Sequence, residues 1–174
     1  MRRHLALALS VCVVGVLSAC APTFNWRELP IGSTALTALF PCKPQTVTRT
    51  VPIANQAHEL AMRSCDAAGV TFAVAHAVLS DPAQAPSVLS AWRASALAGV
   101  GADAVSVSSQ PPQGLPALPQ LQVLRAARAG GDVQALSLLG VWFAKDSDVF
   151  AVFMMAPAIP ADVAESFFAG LRLR

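Results

Sequence analysis

The chain predicts an α+β fold, an antiparallel meander sheet flanked by two helices. Three observations carry that expectation. From residue 26 onward most of the chain breaks into short β-branched or apolar runs separated by Asp, Gly and Pro. Only two stretches switch to helical spacing, one central and one near the C-terminal end. The order is therefore strands, helix, strands, helix, which suits helices packed on an antiparallel sheet.

Residues 26–32 and 33–40 are apolar-rich and read as a first strand and a turn or short extended piece. In Phe40-Pro41-Cys42-Lys43-Pro44 the two prolines bar helix and disfavour a central strand, leaving a rim strand or a stapled loop. Thr46–Ile53 sets Val47, Arg49 and Val51 against Thr46, Thr48 and Thr50. His58–Cys65 sets Leu60, Met62 and Ser64 against Glu59, Ala61 and Arg63. Asp66–Gly69 has turn chemistry, and Val70–Leu79 is apolar on both parities, as a central strand is.

The period then changes. Val88, Leu89, Trp92, Ala96, Leu97 and Val100 fall at helical offsets. Pro86 suits a first turn and Gly99 and Gly101 an end, predicting a helix near 86–99 with Trp92 on the sheet. Ala104–Ser109 reads as a strand, and Gln110–Pro119, with Pro111, Pro112, Pro116, Pro119 and Gly114, as a stiff loop at one edge. Leu121, Val123, Arg125 and Arg128 belong to a strand ending at the hairpin signal Gly130-Gly131-Asp132. Val133–Ala144 and Val149–Pro157, separated by Lys145-Asp146-Ser147-Asp148, are the most apolar segments after residue 20. Each falls short of the ~20 residues a membrane-spanning helix needs and is read as a buried strand. The last helix opens near Pro160, with Asp162 and Glu165 at the positive end of its dipole. Its stripe is Val163, Phe167, Phe168 and Leu171, and Gly170 suits its end.

This element order resembles the fold shared by the Mog1 and PsbP proteins over most of residues 26–174. The local motifs are Phe40-Pro41 ahead of a strand and Phe167-Phe168 with Gly170-Leu171 at the end. The resemblance implies an α/β/α sandwich and a binding or assembly role, and it carries no functional residues.

At the other end, Arg2 and Arg3 precede an apolar run from Leu5 to Leu17 and the stretch Leu17-Ser18-Ala19-Cys20. A basic start, a short apolar core and small residues before a cut make an export signal. With a cysteine directly after them, residues 1–20 resemble the lipobox signal of bacterial lipoproteins. That resemblance implies removal of the signal peptide 1–19, diacylation of the Cys20 sulfur and acylation of its new amine. Residues 20–25 become a lipidated tether and 26–174 a single periplasmic α+β domain. Two or three acyl chains hold stably where one holds reversibly. Ala21, not being aspartate, implies delivery to the outer membrane. The partner expected first is thus the lipid bilayer, reached through Cys20.

Charge excludes one class of partner. Twelve Lys and Arg against ten Asp and Glu give +2, but removing Arg2 and Arg3 leaves ten of each. No basic cluster remains to release counterions from a phosphate backbone, so no nucleic acid is expected. Of the four cysteines, Cys12 lies in the signal and Cys20 takes lipid. Cys42 and Cys65 form an even pair in an oxidising compartment and are expected to make a disulfide. No further ligands stand near them for a metal site.

The candidate chemistry is thin. His76 lies inside an apolar strand and is expected as a hydrogen-bonded core or edge imidazole. His58 and Glu59 are strand neighbours that point to opposite faces. No Gly-x-Ser-x-Gly elbow occurs, and Ser64-Cys65-Asp66 is assigned to the disulfide. Asp146 and Asp148 supply too few ligands for Ca²⁺, and Lys43 is expected exposed. The expectation is therefore no catalytic, cofactor-binding or metal residues, and a non-catalytic binding or assembly module meeting an envelope protein. A carrier of a small apolar ligand is the alternative, motivated by the apolar 133–157 hairpin, with an envelope enzyme ranked last.

Overall fold

The computed structural model describes residues 23–174. In chain order the strands are β1 (Arg27–Pro30), β2 (Leu36–Phe40), β3 (Gln45–Ile53), β4 (Gln56–Ala67) and β5 (Val70–Val78). After helix α1 (Ala85–Val100) come β6 (Ala104–Ser108), β7 (Gln122–Arg128), β8 (Leu136–Lys145) and β9 (Asp148–Ala156). Helix α2 (Ala161–Ala169) and β10 (Arg172–Leu173) complete the chain. Two sheets result, a seven-stranded one ordered β3-β4-β5-β9-β8-β7-β6 and a three-stranded one ordered β1-β2-β10. Every pairing is antiparallel.

Local sequence explains the hairpins. Ala54 (φ 51°) and Asn55 (φ 62°) turn β3 into β4, while Ala68 (φ 51°) and Gly69 (φ 74°) turn β4 into β5. Left-handed residues at both central positions match the twist of the strands they join. Between β8 and β9 only the first turn residue, Asp146 (φ 54°), is left-handed.

Alternation across the large sheet makes β5 and β6 parallel to each other, so a hairpin cannot join them. Helix α1 supplies the crossover, carrying the chain over β9, β8 and β7. Pro86 sits in its first turn, and Gly101 ends it at φ 61°, donating its N–H to the carbonyls of Leu97 and Ala98. Arg128 then donates from Nη1 to the Val100 carbonyl at 2.8 Å and from Nη2 to the Gln134 carbonyl at 2.9 Å. A cation thus closes the negative end of the helix dipole.

The sheet divides the core. On β5, Phe72 and Val74 point to the α2 side, where they meet Phe40, Phe150, Phe167 and Leu171. Ala75 and Ala77 point to the α1 side, among Val88, Leu89, Trp142 and Ala151. Phe167 is the hub of the first cluster, edge-on to Phe72 at 5.2 Å and to Phe40 at 6.2 Å. The apolar double parity of β5 thus has a physical meaning: aromatic volume on one face, alanines on the other where a helix lies.

The α+β class and antiparallel sheet follow the sequence expectation, with two helices, two sheets and no closed barrel among the described residues. The expectation of one sheet flanked by two helices needs a correction, because the second sheet shares the α2 side. Strand β2 takes β1 on one edge and the C-terminal β10 on the other, so chain ends far apart in sequence meet. Val133, expected in an apolar strand, is 55% exposed in the loop ahead of β8. There the Gly131 N–H closes on the Val133 carbonyl and Arg128 takes the Gln134 carbonyl, which keeps the segment off the ladder. Packing begins before Trp26: Asn25 donates its N–H to the Pro41 carbonyl at 2.8 Å, and Phe24 lies edge-on to Phe72. No helix among the described residues is long and apolar enough to cross a membrane.

Candidate functional site

Seven strands make a sheet wider than α2 and the small sheet cover. The margin left open on the α2 side is floored by β6, β7 and β8. Two adjoining clefts of about 420 Å³ each occupy it, sharing Arg125, Leu139, Ala161 and Ala164. The first turns of α2 form one wall. The proline-rich loop forms another, with Pro111, Pro112 and Gln113 lining the second cleft. That loop is fixed against the C-terminal end of α2, since a Cβ at Gly114 would collide with the carbonyls of Leu171 and Phe168.

Its chemistry is mixed. Ser106 stands opposite Arg125 in the β6–β7 register. Ser106 and Ser137 line the first cleft, while Ser108 and Glu165 line the second. Arg125 is exposed and makes no ion pair among the described residues.

Beside the groove runs the free edge of the sheet. All five residues of β6 are exposed, including Val105 at 50% and Val107 at 56%. The opposite edge strand, β3, carries Arg49 and Pro52, which discourage strand addition; β6, reading Ala-Val-Ser-Val-Ser, carries neither charge nor proline.

A third cleft, of about 400 Å³, lies on the other face between α1 and strands β8 and β9. Trp92, Trp142, Phe153 and Met155 dominate its lining. Trp142 is 1% exposed and its Nε1 is buried without a hydrogen-bond partner among the described residues. Next to Trp92, burial lowers the Arg93 guanidinium from its ordinary value.

The residues singled out from sequence fall as follows. Cys42 and Cys65 are joined by a disulfide, their Cα atoms 6.0 Å apart, which ties the chain leaving β2 to β4. Cys20 and the signal lie outside the described residues. His76 donates from Nε2 to Asp148 Oδ1 at 2.7 Å and stacks on Phe150, so it is a hydrogen-bonded, partly buried imidazole on an interior strand. Asp148 is thereby committed to His76, while Asp146 is exposed in its turn. His58 is buried at 8% exposure on the opposite face of the sheet from His76, its Nε2 unpartnered among the described residues. Neither histidine lines any of the three clefts. Lys43 is exposed. No group of three or more His, Cys, Asp or Glu gathers in metal-binding proximity among the described residues.

Sequence reasoning missed the exposed Arg125 in the groove and the cleft between α1 and strands β8 and β9. Both depend on which strand margins the helices leave uncovered, and no local pattern encodes that. No family model, curated protein or solved structure matches this chain. What the fold and its clefts define is an α+β domain with one mixed groove beside a bare sheet edge and one aromatic cleft behind it.

Proposed function

We propose that the chain is a lipid-anchored, non-catalytic binding module of the bacterial envelope, held by acylated Cys20 at the periplasmic face of the outer membrane. Its partner is an extended segment of another envelope protein, added as a strand to β6. The similarity of element order to the Mog1 and PsbP proteins, a fold that mostly serves binding or assembly, agrees with this reading.

The observation that carries the reading is the bare β6 edge alongside the groove. An added strand gains main-chain hydrogen bonds from the edge and side-chain selectivity from pockets next to it. Arg125 favours a carboxylate on the incoming segment, because a guanidinium holds a carboxylate through charge-assisted, frequently bidentate bonds. The hydroxyls of Ser106 and Ser137 tolerate polar neighbours, and Leu139 with Phe168 takes apolar ones.

A photo-crosslinking side chain placed at Val107 in intact cells tests it, with the same group at Val47 on the far edge as control. A single discrete adduct from position 107, absent from position 47 and lost on Arg125→Glu, is expected. Equal adducts from both edges, or none from position 107, overturn the proposal. The anchor has its own check, the intact mass of envelope-extracted protein: retention of Met1, or no fatty acid at Cys20, refutes it.

A further inference from the structure

We infer that the β6 edge selects an extended segment of about five residues with an acidic residue at its centre and a β-branched apolar residue on either side of that acid. The inference rests on the strand-addition reading above and names the sequence class of the partner.

The length comes from the edge itself. Strand β6 runs for five residues, Ala104–Ser108. Past it the Gln110 N–H turns back onto Ser108 Oγ at 3.1 Å, and Pro111 and Pro112 have no N–H to offer. Before it the Asp103 N–H is taken by the Ala127 carbonyl, and the Asp103 carboxylate receives the Ala129 N–H. Ladder bonds to an incoming chain are thus confined to one short strand.

Alternation puts different chemistry on the two faces of that strand. Ser106 is paired with Arg125 and Arg125 with Leu139, so all three share the α2 side with the groove. A residue added opposite Ser106 shares that side too. Its Cα lies two strand spacings from that of Arg125, about 9–10 Å, a gap that a guanidinium and a carboxylate side chain close between them. Serine at 106 is too small to block the route. Arg125 is exposed and has no ion-pair partner among the described residues, and Glu165 of the same groove lies beyond ion-pair distance of it. A carboxylate arriving from outside supplies the missing charge. On the other face, Val105 and Val107 stand opposite Ala126 and Leu124 of the α1-side core. They are 50% and 56% exposed because α1 lies over β7 and β8. β-Branched apolar residues opposite them make favourable cross-strand pairs. The pattern is symmetric about its centre, so it holds for either direction of the added strand. A second copy of the chain fits poorly: paired through β6, it would bring another Arg125 behind its own Ser106 and leave both cations without a counter-charge.

The test uses the full chain in phosphatidylcholine nanodiscs and dye-labelled, end-blocked peptides, read by fluorescence anisotropy. The peptide TVEVT is expected to bind saturably, TVQVT about threefold to tenfold more weakly, and TVKVT more weakly still. TTETT, which keeps the acid and loses the valines, is expected to bind about threefold more weakly than TVEVT. In Arg125→Glu the order reverses and TVKVT becomes the best ligand, a result that an unfolded variant would not give. No saturable binding of TVEVT, equal binding of TVEVT and TVQVT, or a preference for TVEVT that survives in Arg125→Glu overturns the inference. Self-association of the chain that TVEVT does not displace overturns it as well. A discrete adduct from position 107 in cells alongside equal binding of TVEVT and TVQVT refutes the acidic centre and leaves strand addition standing, so the two readings fail separately.

Discussion

Gly140 and Gly99 should respond to the same change with opposite signs. At Gly140 an added methyl meets Trp142 Cζ3 at 2.7 Å, Phe153 Cβ at 2.8 Å and Trp142 Cη2 at 2.9 Å. The indole edge can swing, but Phe153 Cβ is fixed to the strand backbone paired with position 140. Overpacking of this kind costs about 1–3 kcal/mol, and replacing glycine inside a regular element returns about 0.5–1 kcal/mol. Gly140→Ala is therefore expected to lose up to about 2.5 kcal/mol, a Tm decrease of up to about 10 °C for a chain of this size. At Gly99 a Cβ meets nothing within 4 Å and the residue lies within α1, so Gly99→Ala should gain up to about 1 kcal/mol. Urea unfolding followed by tryptophan fluorescence, with near-ultraviolet circular dichroism reporting the Trp142 environment, measures both. Gly140→Ala as stable as the parent, with an unchanged aromatic spectrum, would refute the claim that the indole rests on a bare backbone.

Further outcomes follow from the packing. Phe167→Ala removes a fully buried ring that joins Phe40 and Phe72 and should cost about 3–5 kcal/mol in denaturant titration. Reducing Cys42–Cys65, or replacing both residues with alanine, should cost about 3 kcal/mol given a sequence separation of 23, read as a lower urea midpoint. Arg128→Ala leaves the Val100 and Gln134 carbonyls without their cationic donor and should cost about 1.5–3 kcal/mol, with faster amide exchange in the last turn of α1. Ala54→Gly relieves a left-handed alanine at φ 51° and should raise stability by about 1 kcal/mol, seen as a higher Tm; a fall would contradict the turn geometry.

Legibility in the sequence tracked the range of the interactions. Strands β3, β4 and β5 were readable because alternation and turn residues are local, and α1 was readable from Val88, Leu89, Trp92 and Val100. The Cys42–Cys65 link came from cysteine arithmetic alone. The three-stranded sheet was hidden because β2 draws a partner from the C-terminal tail, and two residues such as Arg172 and Leu173 carry no period. Val133 misled because its apolar side chain extends the β8 pattern, while the carbonyl of the next residue is claimed by Arg128. The groove around Arg125 was invisible for a different reason: it is made by what α2 fails to cover.

The pinning of Phe24 and Asn25 against Phe72 and Pro41 fixes the leash. With Cys20 acylated, no more than about 14 Å of backbone separates the fatty chains from Phe24. On the proposed anchoring, such a domain would not roam the periplasm but would ride at the lipid headgroups, and whatever it grips would have to come to the membrane surface.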